Sequence, residues 1–418
     1  MKKALSNPLG LFVVALLARL LIIHYGPMPA NDDGVYEKAI LNYFAGHGLA
    51  YEHGLPVQGT LWFSWLPPVY PVLVILYYKL FGVGFTLFPL RIAITVLGSL
   101  SCVWLYQLGK LIKGKELGLL AGYALALYPP QVLDSTSINP HAIANSLFIL
   151  CLLFLLKGRK GGSPALLVVS GALLGIIVLA RGEFFSCFPW ILLWLVLWGK
   201  TPASVDGETP LWTPSTRGVF LAVLFVAGTA LTMSPWVIRN WKIHHRFILL
   251  STNYGDNFYF THNPDYHFTG DAIYYDFPHL QRLTQGLSEP DCAKVMFNEA
   301  LRYIKENPGR FVRVVAGNFF EFWRPYLSPQ KYSNAQILGY VVSYVPLFIF
   351  FLLGLLRVPW RKDPTWFLFL GLIAAKTFGQ IFFYIIVRFR EALVPIMILY
   401  AGTALLSLFQ KREPLQHD

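Results

Sequence analysis

The chain has little charge and little cysteine. Only 13% of its 418 residues are Asp, Glu, Lys or Arg, against roughly 25% in a soluble domain, and this excludes a soluble globular protein. Of the four cysteines, Cys102, Cys151 and Cys187 fall in apolar stretches and Cys292 alone in a polar one. No disulfide framework is therefore available to report an oxidising compartment. The ten histidines form no H-E-x-x-H or other compact metal spacing. There is no P-loop, dinucleotide fingerprint or G-x-S-x-G elbow either, which argues against nucleotide-driven chemistry on the cytoplasmic side.

What the chain has instead is apolar length. Hydrophobic residues make up 55% of it, and they come in blocks at 9–25, 68–82, 90–109, 117–130, 141–156, 165–180, 184–198, 218–237, 335–356, 365–387 and 391–409. Blocks of this length suit a bilayer about 30 Å thick, so the fold class is an all-α polytopic membrane protein. The formal charge of +12 then becomes a question of sidedness. Basic residues cluster at Lys2 and Lys3; Lys110, Lys113 and Lys115; Lys157, Arg159 and Lys160; Lys200 and Arg217; Arg357, Arg361 and Lys362; and Lys411 and Arg412. If all are cytoplasmic, an even number of crossings separates successive clusters. Every block then crosses except 68–82, which is short, opens with prolines and contains Lys79. This gives about ten transmembrane helices with both ends inside, the stretch 9–25 being an uncleaved first span. A full crossing at 68–82 is the competing topology.

The same reading divides the chain into a transmembrane module 1–237 with an acidic first outer loop 26–67, an outer segment 238–330, and C-terminal helices with a short tail at 331–418. In the first loop Asp32, Asp33, Glu37 and Glu52 face one basic residue, Lys38. Asn31-Asp32-Asp33-Gly34 opens an expected amphipathic helix that stops at Gly46-His47-Gly48. Acids there can be ordinary caps on a helix start, or a base held at the membrane surface with a neighbour that orients it or binds a cation.

Asp134 follows Tyr128-Pro129-Pro130 at an outer helix end, where it either snorkels to water or faces a cavity. Arg181 and Glu183 sit at another outer end and either pair with each other or serve a site. Arg388-Phe389-Arg390-Glu391 breaks the last apolar stretch on the outer side, against the positive-inside trend. Lipid headgroup anchoring or a phosphate held by a guanidinium fork would compensate it.

These features, taken in order, resemble the GT-C superfamily of multi-pass glycosyltransferases, in particular bacterial relatives of protein O-mannosyltransferases and of the lipid A aminoarabinose transferase. The resemblance is carried by Asp32-Asp33, Tyr36 and Ala45-Gly-His-Gly-Leu49; by Pro67-Pro68-Val-Tyr70-Pro71, Phe81-Gly82 and Arg91; by Gly118-Leu-Leu-Ala-Gly122 with Tyr128-Pro129; and by Ser234-Pro-Trp-Val-Ile-Arg-Asn240 and Arg388-Phe-Arg390. It implies a GT-C type fold with interfacial helices in the first outer loop, including a non-crossing helix at 68–82. It also implies a polyprenyl-phosphate sugar donor, an acceptor hydroxyl on a protein, lipid or glycan, and transfer outside the cell (inner) membrane.

Carried over, the catalytic base falls on Asp32, with Asp33 behind it, and the second outer acid on Asp134. Arg181, Arg388, Arg390 and Tyr70 join the substrate-binding candidates. The chain departs from the aminoarabinose transferases at Trp65-Leu66, where those carry Glu-Lys, and no metal site is carried across. His262 stands where the family often shows Gly-Asn-x-Pro and is expected on the substrate side.

The expected activity is an inverting glycosyl transfer that needs no cofactor, although a divalent cation beside the acidic pair is compatible with it. Nucleic acid is not an expected partner; membrane lipid is. The alternative class is a transporter or flippase of a lipid-linked glycan. That class wants charges lining a route through mid-membrane, yet only Arg19 and Lys376 interrupt the apolar blocks there.

Overall fold

The computed structural model describes residues 7–25, 33–57, 59–198, 214–264, 266, 278–329, 332–360 and 363–409. Asp32 lies outside them, as do Lys2, Lys3, Lys200, Arg361, Lys362, Lys411 and Arg412. Among the described residues, six helices are long and apolar enough to cross a membrane. They are α1 (Pro8–Tyr25), α4 (Phe88–Lys113), α7 (Pro140–Gly161), α10 (Thr216–His244), α15 (Asn334–Arg357) and a last unit in which a 3₁₀ turn, Val387–Leu393, leads into α17 (Val394–Phe409). The other four expected crossings are shorter helices: α5 (Lys115–Leu127), α8 (Pro164–Ala180), α9 (Cys187–Leu197) with a 3₁₀ lead-in at Gly182–Ser186, and α16 (Thr365–Gln380). The block at 68–82 is the 13-residue α3 (Val69–Phe81), about 20 Å long at 1.5 Å per residue and equal in length to α5.

Glycine and proline set these boundaries. Helix α5 ends where Tyr128 turns extended ahead of Pro129, because the residue before a proline avoids helical geometry. The chain restarts as the one-and-a-half-turn α6 (Pro129–Asp134). In the first loop, α2 (Asp33–Asn42) runs into a wide turn at Tyr43–His47, with Gly46 at φ +89 and Gly48 at φ +75. Only glycine takes such values at low cost. Between helices α8 and α10 the packing relies on small residues: a Cβ on Gly171 would run into the Phe225 carbonyl, and Thr229 donates to the Gly171 carbonyl at 3.0 Å. Helices in lipid gain their association from such close backbone approach.

A β-hairpin, which the sequence does not signal, follows α2. Strand β1 (Tyr51–His53) pairs antiparallel with β2 (Thr60–Trp62), with Tyr51 opposite Trp62 and His53 opposite Thr60. It packs on the outer segment, made of α11 (Tyr254–Thr261), α12 (Pro278–Thr284), α13 (Glu289–Glu306) and α14 (Pro308–Trp323). Trp62, Phe258, Tyr259, Leu280, Cys292, Met296 and Ala300 form a core of their own there. Buried polar groups fasten the two parts. His53 Nδ1 accepts the Leu55 N–H at 3.0 Å, so its Nε2–H donates to Asp256 at 2.9 Å, and Trp65 Nε1 donates to the same carboxylate oxygen at 2.6 Å. Glu289 accepts the Phe63 and Ser64 amides at 2.6 and 2.9 Å.

The described basic residues of the short connections gather at one end of the bundle. Arg159 donates to the Trp198 carbonyl at 2.8 Å, Arg217 to the Arg159 carbonyl at 3.0 Å and Lys160 to the Leu111 carbonyl at 3.2 Å. Lys160 also lies 3.6 Å from Asp363. Asp134, Arg181 and Arg388 stand at the opposite ends of these same helices.

Candidate active site

Helix α2 brings the acidic loop to the bundle. Asp33 is its first described residue, and Tyr36, one turn on, is buried with its ring 4.7 Å from that of Tyr70 at the start of α3. Tyr36 also lies within electrostatic reach of Arg181. Through Tyr36, the helix that carries the acids, the proline-led helix α3 and the junction after α8 meet.

Asp134 closes α6 and accepts from the amides of Asn139 at 3.4 Å and Asn145 at 3.3 Å. Burial pushes its carboxyl up to about 6, against the pull of the Arg388 and Arg181 cations and the two amides. Two arginines that reach up from spanning helices hold the peptide around it. Arg19 Nε donates to Ser135 Oγ at 2.7 Å, and Arg91 Nε donates to the Thr136 carbonyl at 2.6 Å. An arginine as buried as Arg19, which is 1% exposed, is costly in a membrane unless it has such partners.

Arg181 does pair with Glu183, Nε lying 3.1 and 3.2 Å from the two carboxylate oxygens. Glu183 in turn receives Lys376 at 3.6 Å, and Lys376 sits 4.0 Å over the Phe184 ring. This Arg–Glu–Lys group sets two basic side chains against one carboxylate, and Arg181 acts as a cation on Asp134. The Arg181 guanidinium also lies 5.3 Å over the Phe389 ring, which brings in the Val387–Leu393 turn.

The two arginines of that turn part company. Arg390 is fully buried and donates to the carbonyls of Phe322 at 2.7 Å and Arg324 at 3.0 Å, and to the Tyr340 hydroxyl, with its guanidinium 3.8 Å over the Tyr344 ring. It ties the end of α14 to α15. Arg388 instead exerts the larger of the two cationic pulls on Asp134.

His262 is buried elsewhere, at the end of α11. Its Nε2–H donates to the Phe382 carbonyl at 3.0 Å and its ring packs against Phe258 and Phe311. Burial holds it down at about 4, so it stays neutral. Of the eight residues singled out from sequence, Tyr70 and Arg181 meet α2 at Tyr36, Arg181 and Arg388 act on Asp134, Arg390 and His262 lie apart from that group, and Asp32 and the side chain of Asp33 lie outside the described residues. Lys376, Asn139 and Asn145 were missed as site residues. A lone lysine in an apolar block was the available signal for Lys376.

Next to this cluster lies a cavity of about 680 Å³ between α3, α8 and α10. Val72, Ile75, Leu76, Leu179 and Ile243 give it an apolar wall; Lys79, His47 and Arg239 give it polar lining. Leu179 stands two residues before Arg181. Among the described residues no group of three or more His, Cys, Asp or Glu side chains could hold a metal.

The family model for dolichyl-phosphate-mannose-protein mannosyltransferase matches residues 66–236, less than half of the chain. Among curated proteins no sequence relative is found. Solved structures do align. The archaeal oligosaccharyltransferase AglB from Archaeoglobus fulgidus, in complex with an inhibitory peptide and a dolichol-phosphate, superposes over 97% of this chain at 16% identity with a TM-score of 0.55. The Archaeoglobus fulgidus enzyme in complex with Zn and sulfate gives 96%, 16% and 0.54. ArnT from Cupriavidus metallidurans bound to undecaprenyl phosphate, at 17% identity over 95% of this chain and 77% of its own, has a TM-score of 0.44, too low to bear on the fold. The chain spans about half the length of the archaeal structures it matches. It shares the fold of the aligned half of these archaeal structures.

Proposed function

We propose that the chain is an inverting glycosyltransferase that moves a monosaccharide from a polyprenyl-phosphate to an acceptor hydroxyl, at the end of the bundle opposite its basic residues. One observation carries this reading: three separate helix junctions converge, Arg388 and Arg181 acting on the buried Asp134, and Arg181 also reaching Tyr36 on the helix that Asp33 opens. In the proposed reaction Asp32 or Asp33 takes the proton of the acceptor hydroxyl. The oxygen attacks the anomeric carbon from the face opposite the phosphate. The bond from that carbon to the phosphate oxygen breaks, and its electron pair leaves with the lipid phosphate. That leaving group is a stable anion, so cationic stabilisation by Arg388 and Arg181 matters more than a general acid.

Asp134, ionised above about 6, orients the acceptor, and Tyr70 gives a sugar-facing aromatic ring. The apolar cavity suits the polyprenyl chain. A cytoplasmic basic end, as the positive-inside trend favours, supports a site outside the inner membrane; a topology reporter fused after Lys115 should read inside and one after Asp134 outside.

The test is transfer of labelled sugar from a polyprenyl-phosphate donor by the purified protein in lipid. Asp32→Asn and Asp33→Asn are measured separately and together. The variant that removes the base loses about 10² to 10⁴ in rate while retaining donor binding. Normal transfer by the double variant would remove the base from this loop.

A further inference from the structure

Helix α14 is apolar on two opposite faces. The inner face, Val314, Asn318 and Phe322, is buried against the chain around 381–391. On the outer face Phe320 is 72% and Val312 64% exposed, and Ala316 and Phe319 are exposed between them. Polar residues occupy one narrow strip, Arg310, Arg313 and Glu321, and two of these already have partners: Arg310 donates to the Pro264 carbonyl at 2.8 Å, and Glu321 receives Arg324 at 2.8 Å. Its sixteen residues make a rod of about 24 Å, the length of α16, but three charged side chains along its length set it apart from a spanning helix. It is built to lie along a membrane.

The occupant of the outer face follows from where the face leads. Past Tyr326, 45% exposed, the chain enters the spanning helix α15, whose exposed Leu338 and Val342 continue the apolar surface. Trp323 and Tyr326 stand at the join, the aromatic pattern of a membrane interface, and the exposed Arg313 flanks the apolar arc at headgroup height. We infer that α14 is an in-plane membrane helix whose outer face is sunk in lipid at the site end, and that it thereby sets the depth of the segment bearing Arg388. The second half of that statement rests on the proposed donor site; the first does not.

The coupling runs through the inner face. Asn318 Nδ2 donates to the carbonyls of Ile381 at 2.9 Å and Phe383 at 3.0 Å, and the Phe322 carbonyl accepts from Arg390. Each of these bonds holds the stretch that leads into or follows Arg388. Raising or tilting α14 in the leaflet carries that stretch with it.

Spin labels on introduced cysteines test the lipid contact, since the described native cysteines are all buried. The full-length protein is reconstituted in vesicles of phosphatidylethanolamine and phosphatidylglycerol. Labels at Val312→Cys and Phe320→Cys should collide more with oxygen than with a water-soluble nickel chelate, and a label at the exposed Arg302→Cys on α13 should do the reverse. A label at 320 as open to the nickel chelate as the one at 302 overturns the inference. So does one shielded from both reagents, which would mean a protein partner. Phe320→Asp should raise KM for a polyprenyl-phosphate sugar about tenfold with little change in kcat, as loss of ground-state binding does. An unchanged KM with lipid-exposed labels removes the depth-setting role and leaves the anchor; absence of any transfer by the native protein overturns the proposed function instead.

Discussion

The two ends of the helix bundle use the same charged residue types for different purposes. At the basic end, arginines and lysines mostly donate to backbone carbonyls at neighbouring helix ends, as Arg159 does to Trp198 and Arg217 to Arg159. These carbonyls carry the negative end of the helix dipole, which a cation favours. At the other end the cations are set against carboxylates: Arg181 and Lys376 share Glu183, and Arg388 acts on Asp134. Charge alone does not distinguish a topology signal from a site. The presence of buried acids among the cations does.

The largest expected effects come from the two arginines that lie two positions apart. Arg390→Met strips donors from the carbonyls of Phe322 and Arg324 and leaves Glu391, 4% exposed, without its neighbouring cation. Leaving buried carbonyls without their donor costs about 1–3 kcal/mol each, so melting in detergent should drop clearly and donor analogues should bind only in proportion to the folded fraction. Arg388→Ala should instead cost less in melting than Arg390→Met and lower kcat/KM by about 10² to 10³, the usual loss when a charge-stabilising donor is removed. Equal melting losses in the two variants would end the distinction between a structural and a functional arginine.

That distinction was not legible in the sequence, and the reason is geometric. In an extended chain, residues two apart share a face, and Arg388 and Arg390 would then have one environment. The chain is a 3₁₀ turn there, and at three residues per turn the two side chains point about 120° apart. Local signals fared better. The apolar blocks, the proline stop before α6 and the glycine turn after α2 all follow from composition within a few residues. What stayed hidden depends on distant partners: Gln131 donating to the Glu391 carbonyl at 2.7 Å, or His53 meeting Asp256 at 2.9 Å. The hairpin was missed because three-residue strands carry too short an alternation to stand out. Lys376 was noticed only as an exception, since nothing nearby in sequence announces Glu183 as its partner.

A smaller effect should separate Asp134 from the acids of the first loop. Its carboxyl ionises near 6 instead of its ordinary 3.8, so kcat/KM should rise through about pH 6, and Asp134→Asn should abolish that limb while lowering the plateau. The stability change has the opposite sense. A raised acid stabilises the fold while it is protonated, fully below about pH 4, and that contribution is lost as pH rises through about 6. At pH 7.5 the amide escapes the cost of a buried anion and should melt no lower than the native protein, so a stable variant with low activity is the expected outcome. An acid limb that survives in Asp134→Asn would assign it to another group.

The smallest effect belongs to the basic end and tests the comparison from the other side. Lys160 keeps 34% of its side chain exposed and lies 3.6 Å from Asp363, the kind of pair worth about 0–1 kcal/mol. Lys160→Ala should therefore shift melting slightly and leave kcat/KM for the polyprenyl-phosphate donor unchanged. The same substitution combined with Lys157→Ala and Arg217→Ala removes three cations from one end, and here the expected change is in topology: a fraction of the newly made protein should insert inverted, read by a reporter fused after Asp134. A loss of transfer in correctly inserted Lys160→Ala protein would mean that the basic end reaches the chemistry, and the division of labour between the two ends would not hold.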